Sequence, residues 1–209
     1  MRTVDYLKEV YGYDVPIFLK NIRIGGKSKT SIRKELSRAV DKGEIERESN
    51  GIYYFSEEKE FGSGLSFEDV VELKFIKNDY GLKGLNLDIY GYYTGMTFLH
   101  MIGLTQQVPA VLEIATNNTS CKRLFKCHGF RAILRKGKIK IDRFNYKALQ
   151  FFDLFYLLDV QEIKDNRTLL IKYMNDNDIS KADFEKYISL YQFSVYKKIV
   201  KGGLLNAFR

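Results

Sequence analysis

Two stretches of the chain gather the side chains best suited to recognition chemistry, and that chemistry is cationic. From Lys20 to Lys42 there are eight lysines and arginines against Glu35 and Asp41, a net of +6. From Cys121 to Lys147 there are ten against Asp142, a net of +9. The 209 residues together carry +8, so the remainder sums to −7: two basic patches on a mildly acidic body. Nucleic-acid phosphates or an acidic protein partner are the natural counterparts. In the first patch Lys29, Arg33 and Ser37 recur at four-residue steps, as do Thr30, Lys34 and Arg38. Ile32, Leu36, Ala39 and Val40 share the opposite stripe, which predicts a helix with an apolar inner face and a basic outer one. Lys29, Thr30 and Arg33 are best placed for base edges, Lys34 and Arg38 for phosphate. Lys27 and Ser31 complete the helix's DNA-binding candidates, and Arg47 and Asn50 further on are expected to touch backbone or minor groove.

The second patch comprises Lys122, Arg123, Lys126, Arg131, Arg135, Lys136, Lys138 and Lys140, a candidate surface for nucleic acid or a partner. Phe125 and Phe130 interleave with these charges, as base-stacking groups or as core. A solvated basic hairpin is the plainer reading of the same residues.

Catalytic chemistry finds less footing. Cys121 and Cys127-His128 have a spacing foreign to structural zinc sites, and the other histidine is His100, so packed, reduced thiols are expected. A metal-dependent nuclease, with Asp88 and Glu113 as its acids, would want Glu-x-Lys on a strand, whereas Glu113-Ile114-Ala115 lacks the lysine. Gly62-Ser63 is not followed by the paired acids of a nucleotidyltransferase, and no phosphate-cradling loop is present. Gly103 to Pro109 reads as a rigid helix-to-strand turn, with Thr105 and Gln106 as functional candidates within it. No catalytic residue, metal or cofactor is expected.

The elements that must position these groups follow from periodicity and punctuation. A first helix spans Thr3–Tyr11, with Thr3 as N-cap and Gly12 as stop. Asp14-Val15-Pro16 predicts a second helix with Ile17, Phe18, Leu19 and Ile22 inward. Ser28 or Thr30 caps the basic helix and Gly43 ends it in a left-handed turn. Ile45, Ile52 and Tyr54 flank Ser49-Asn50-Gly51, a strong hairpin signal. Residues 1–56 thus predict a winged helix-turn-helix, and 57–64 an acidic, glycine-containing linker. Residues 65–209 predict an α+β domain with strands first and helices last. Within it we expect a helix from Ser66 to 78, a strand at 85–92, a helix at 94–104 and a strand at 109–116. A hairpin of 130–134 with 139–141 follows, then helices from Asn145 onward, one of them opened by a Ser180-x-x-Asp183 capping box.

With 45% hydrophobic residues the chain can bury a substantial core. The charged start has no apolar h-region, and no apolar run approaches the roughly 18 residues of a membrane span. A cytoplasmic location is the expectation.

Two blocks, SIRKELSRAVDKGEIERESNGIYYF and GYYTGMTFLHMIGLTQQVPAVLEIATNN, together resemble the AbiEi-like antitoxins, transcriptional regulators of type IV toxin–antitoxin and phage-defence operons. The first is similar to the family's winged helix, with its Leu-Ser-Arg helix and Gly-Ile-Tyr-Tyr strand. The second is similar to its Gly-Leu-Thr-x-Gln-Val-Pro core followed by Glu-Ile-x-Thr-Asn. ILRKGKIKIDRFNYKALQFFDL extends the likeness, which weakens past Asn166. The resemblance implies an N-terminal operator-binding domain, a C-terminal domain needed for antitoxin activity, and a nucleotidyltransferase-like toxin encoded alongside. The alternative is a non-enzymatic interaction module whose basic patches dock an acidic protein or RNA, a reading to which Glu44, Glu46 and Glu48 on the wing lend support.

Overall fold

The computed structural model describes residues 2–57, 64–78, 88–127 and 129–208. The protein is mixed α and β, with its strands in two separate sheets. The chain divides into two compact units. Among the described residues the first gathers 2–57, 64–74, 78, 127 and 129–130, and the second gathers 75–77, 88–126 and 131–208. The linker expected at 57–64 lies, apart from Glu57 and Gly64, outside the described residues.

In the first unit, α1 (Thr3–Tyr11) precedes β1 (Ile17–Phe18), α2 (Lys29–Asp41) and the hairpin of β2 (Glu46–Ser49) and β3 (Ile52–Tyr54). The sheet order is β1-β3-β2, and both pairings are antiparallel. Ile32, Leu36 and Ala39 turn the apolar stripe of α2 onto Val4, Leu7, Ile17, Ile22 and Tyr53. Full burial of a side chain such as Leu36 contributes about 1.5–3 kcal/mol, so this stripe fixes which face of α2 looks outward. Ser28 is the N-cap, its hydroxyl accepting the Ser31 N–H at 3.1 Å. At the other end Gly43 adopts φ +69°. The Gly43 and Glu44 amides then reach Val40 O (3.0 Å) and Ala39 O (2.9 Å), closing the last turn in a Schellman motif. Gly51, at φ +79°, turns the hairpin, with a register slip between Arg47 and Ser49.

Two expectations for this unit are corrected. Residues 14–22 do not form a helix. Asp14 takes φ +54° and donates its N–H to Phe55 O, Ile17 and Phe18 pair with Tyr53 and Ile52, and Leu19 N–H reaches Gly51 O. Pairing with the edge of β3 satisfies these backbone groups and overrides the Asp-x-Pro start signal. Thr3 does not cap α1 either. Arg2 occupies that position, and the Thr3 side chain is buried against α2. Helix α3 (Phe67–Val71), capped by Ser66, continues into a π-helical turn, Glu72–Ile76, along which the chain leaves the first unit.

The second unit holds β4 (Gly91–Tyr93), α4 (Gly95–Met101), β5 (Leu112–Thr116), β6 (Arg123–Cys127) and β7 (Phe130–Lys136), although the tip 127–130 groups with the first unit. The sheet order is β4-β5-β7-β6, with β4 antiparallel and β7 parallel to β5. Then come α5 (Tyr146–Asp153), α6 (Val160–Asp165), α7 (Arg167–Asp176), α8 (Lys181–Tyr187) and α9 (Phe193–Lys201). Helix α5 contributes Leu149, Phe151 and Phe152, and α8 and α9 add Phe184, Val195 and Ile199. These pack with Tyr92 and Ala115 of the sheet, and Gln150 Nε2 holds α5 to Tyr93 O at 2.7 Å. The capping box Ser180–Asp183 is formed, and Asp159–Glu162 forms another.

Here too the structure departs from expectation. The hairpin around Arg135-Lys136-Gly137-Lys138 is absent: β7 runs through Arg135 and Lys136, held along its length by β5. Ile139–Ile141 is not a strand, because the Asn117 side chain takes up both backbone groups of Ile141. The strand expected at 85–92 appears as β4, two residues further on; residues 85–87 lie outside the described chain. No helix among the described residues is long and apolar enough to cross a membrane.

Candidate nucleic-acid interface

The inward packing of Ile32, Leu36 and Ala39 leaves Lys29, Thr30, Arg33, Lys34, Ser37 and Arg38 exposed along the outer face of α2. Among the described residues none of the four cations there is engaged in an ion pair or hydrogen bond. The N-terminal end of α2 also presents backbone N–H groups and the positive pole of the helix, which favour an anion. Beside it lies a cleft of about 360 Å³ lined by Lys20, Lys29 and Arg33, by Asn50 and Gly51 of the hairpin tip, and by Lys74. Lys74 was not foreseen as part of this surface, since nothing in the sequence ties residue 74 to residue 29. Lys20 was counted only in the charge sum.

Other candidates of the first patch are engaged internally. Lys27 Nζ lies 2.7 Å from Glu35 Oε2 and 3.1 Å from the Thr3 hydroxyl, and Ser31 donates to Glu35 Oε1 at 3.3 Å. Hydrogen bonds from Lys27 and Thr3 hold the Glu35 carboxyl down to about 2. Arg47 bonds to Asn50 Oδ1 at 3.1 Å, so the two hairpin candidates brace each other across the tip. The wing acids are engaged as well: Glu44 with Arg2 at 3.2 Å, Glu46 with the Tyr54 hydroxyl, and Glu48 with the Cys127 thiol at 2.8 Å. Burial and the Glu48 carboxylate push that thiol up to about 12, so Cys127 is a packed thiol and not a nucleophile at neutral pH. His128 lies outside the described residues.

All eight cations of the second patch are exposed, but they do not form one surface. Lys122, Arg123 and Lys126 belong to the outer strand β6 and its approach, while Arg131, Arg135 and Lys136 lie on β7. Arg135 is paired with Glu113 of β5, and Lys138 stands over the rings of Tyr156 and Tyr191. Phe125 packs edge-on against Phe75, and Phe130 stacks on Phe67, so both aromatics have protein partners. In the Gly103–Pro109 turn, Gly103 at φ +76° ends α4, and the Thr105 hydroxyl accepts the Gln107 N–H at 3.1 Å, a local turn contact.

No family model matches the chain, and no curated protein matches it. The geometry of the site therefore carries the functional reading.

Proposed function

We propose that this chain is a DNA-binding repressor and antitoxin of a type IV toxin–antitoxin operon, non-catalytic and cytoplasmic. Its N-terminal unit would act as a winged helix on the chain's own promoter, and the remainder would counteract a nucleotidyltransferase-like toxin. The observation that carries the DNA half is the outer face of α2: Lys29, Arg33, Lys34 and Arg38 are exposed and unengaged, on a helix whose other face is committed to core. An ordinary surface helix mixes signs along its exposed face; here the one acid, Glu35, is withdrawn onto Lys27 and Thr3. The order helix, strand, helix, hairpin, with sheet order β1-β3-β2, supports a winged helix in which a short turn stands where a second helix was expected. The engagement of Glu44, Glu46 and Glu48 lessens their opposition to phosphate. The antitoxin half rests on the resemblance of the two sequence blocks. The test is binding of the purified chain to its own upstream DNA across a salt series. Specific, steeply salt-dependent binding supports the reading, and no preference over random DNA of equal length overturns it.

A further inference from the structure

We propose that a cleft in the second unit, at the carboxyl end of β7, is a binding site for a nucleoside phosphate. The sheet register builds its floor. Tyr92 of β4 pairs with Ala115 of β5, and Ala115 with Arg135 of β7, so these three side chains stand in a row on one face. Helix α5 covers that face and delivers Asp153 from its last turn. The cleft encloses about 420 Å³, within the size range of small-molecule sites. It opens where the parallel strand β7 ends, the position at which sheets of this kind accept ligands.

Its polar groups are sorted by depth. At the floor, Asp153 Oδ2 accepts hydrogen bonds from the Tyr92 and Thr94 hydroxyls, both at 3.1 Å. Two donors on one oxygen orient the carboxyl group, whose own pKa burial raises. Glu113 lies beside it and is already satisfied, by the Met96 N–H and by Arg135. At the lip stand Lys136 and Lys138, separated by Gly137. Lys136 is exposed and has no hydrogen bond or ion pair among the described residues, and Lys138 is held over Tyr156 and Tyr191. Tyr156 and Leu157, 41% and 46% exposed, supply an apolar wall.

This sorting selects a ligand class. A simple inorganic anion would satisfy Lys136 but would face the carboxyl groups at the floor. A polyamine would suit the floor and be repelled at the lip. A molecule with an anionic group at one end, a flat body and N–H donors at the other matches lip, wall and floor together. A nucleoside phosphate is such a molecule, with its phosphate on Lys136 and Lys138 and its base amino group directed to Asp153.

The test is calorimetric titration of the full chain with the four nucleoside monophosphates, with their nucleosides, with inorganic phosphate and with a short single-stranded RNA lacking terminal phosphate. Monophosphates of amino-bearing bases should bind about ten-fold or more tightly than inorganic phosphate or the matching nucleosides, with UMP weakest. Lys136→Ala, at an exposed position, should weaken them about ten-fold. Asp153→Asn should narrow the gap between the amino-bearing bases and UMP. If that variant fails to fold, Tyr156→Ala should weaken all four. No saturable binding of any monophosphate, equal binding of inorganic phosphate, binding of RNA alone, or an unchanged affinity in Lys136→Ala would each overturn the assignment.

Discussion

Lys27 and Glu35 meet at the start of α2, Nζ standing 2.7 Å from Oε2, and the Thr3 hydroxyl of α1 reaches the same carboxylate oxygen at 2.6 Å. One carboxylate thus ties together the loop before α2, α2 itself and α1. The Glu35 carboxyl is held at about 2, below its ordinary 4.5, by Lys27 first and Thr3 second. A carboxyl depressed in the folded state stabilises the fold above its ordinary value, and that stability is lost as pH falls from about 4.5 toward 2. Both side chains are partly exposed, so the gain at neutral pH is about 1 kcal/mol or less. Glu35→Gln should lower stability at pH 7 and flatten its pH dependence in that acid window. Urea denaturation of both proteins at several pH values decides it; parallel pH profiles would remove Glu35 from this role.

The same contact separates two kinds of lysine. Arg33 and Lys34 are exposed and unengaged, whereas Lys27 is part of the fold. Arg33→Ala with Lys34→Ala should reduce the salt slope of promoter binding by about 1.8, two phosphate contacts at about 0.9 each, with little change in melting temperature. Lys27→Ala should do the reverse, lowering the melting temperature and leaving the slope nearly as it was. Binding isotherms at four or five salt concentrations resolve both. A double variant that binds like the parent would sink the assignment of α2 as the reading helix.

Features governed by neighbours in the chain were legible in advance. The cap at Ser28, the left-handed stop at Gly43, the Asn50-Gly51 turn and the Ser180–Asp183 box are set within a few residues, and each is found. What escaped depends on distant partners. Asp14-Val15-Pro16 carries a helix-start pattern, yet a strand edge 36 residues on, at Tyr53, claims Ile17. Thr3 carries an N-cap pattern, yet its hydroxyl serves Glu35. Arg135 to Lys138 reads as a turn only until β5 pairs with Arg135 and Lys136. The basic face of α2 was readable because helical period alone sorts its residues. The cleft beside Asp153 was not, because it takes a parallel register to bring residues 92, 115 and 135 into one row.

Asp153 lies where its charge costs stability. Burial raises its carboxyl pKa, partly offset by hydrogen bonds from Thr94 and Tyr92 and by the charge of Lys138. A carboxyl raised in the folded state costs stability once pH exceeds its unfolded value, and the cost vanishes below that value. Asparagine keeps an acceptor for the two hydroxyls and removes the charge. Asp153→Asn should therefore be more stable than the parent at pH 7, with the advantage shrinking as pH falls through the carboxylate range. Thermal melts at pH 7 and pH 4 test the sign. A variant that is destabilised at pH 7 would mean that the carboxylate charge is itself needed, through Lys138.

Gly95 and Glu113 form the tightest steric pair in the second unit. Gly95 takes φ +63° at the first position of α4, and a Cβ built there would lie 2.3 Å from Glu113 Oε1. The Glu113 carboxylate occupies that space because it accepts the Met96 N–H and pairs with Arg135. Gly95→Ala therefore carries two separable costs. The left-handed backbone conformation costs about 1–2 kcal/mol for any residue with a Cβ. Displacing Glu113 from its two partners adds about 1–3 kcal/mol. Glu113→Ala alone loses those partners but opens the space, so in Gly95→Ala/Glu113→Ala only the backbone cost should be added. The double variant should then be less destabilised than the sum of the singles, with an interaction of about 1 kcal/mol or more. Denaturant unfolding of the four proteins measures it. Strict additivity would show that Gly95 is required for its backbone alone and that Glu113 has room to move.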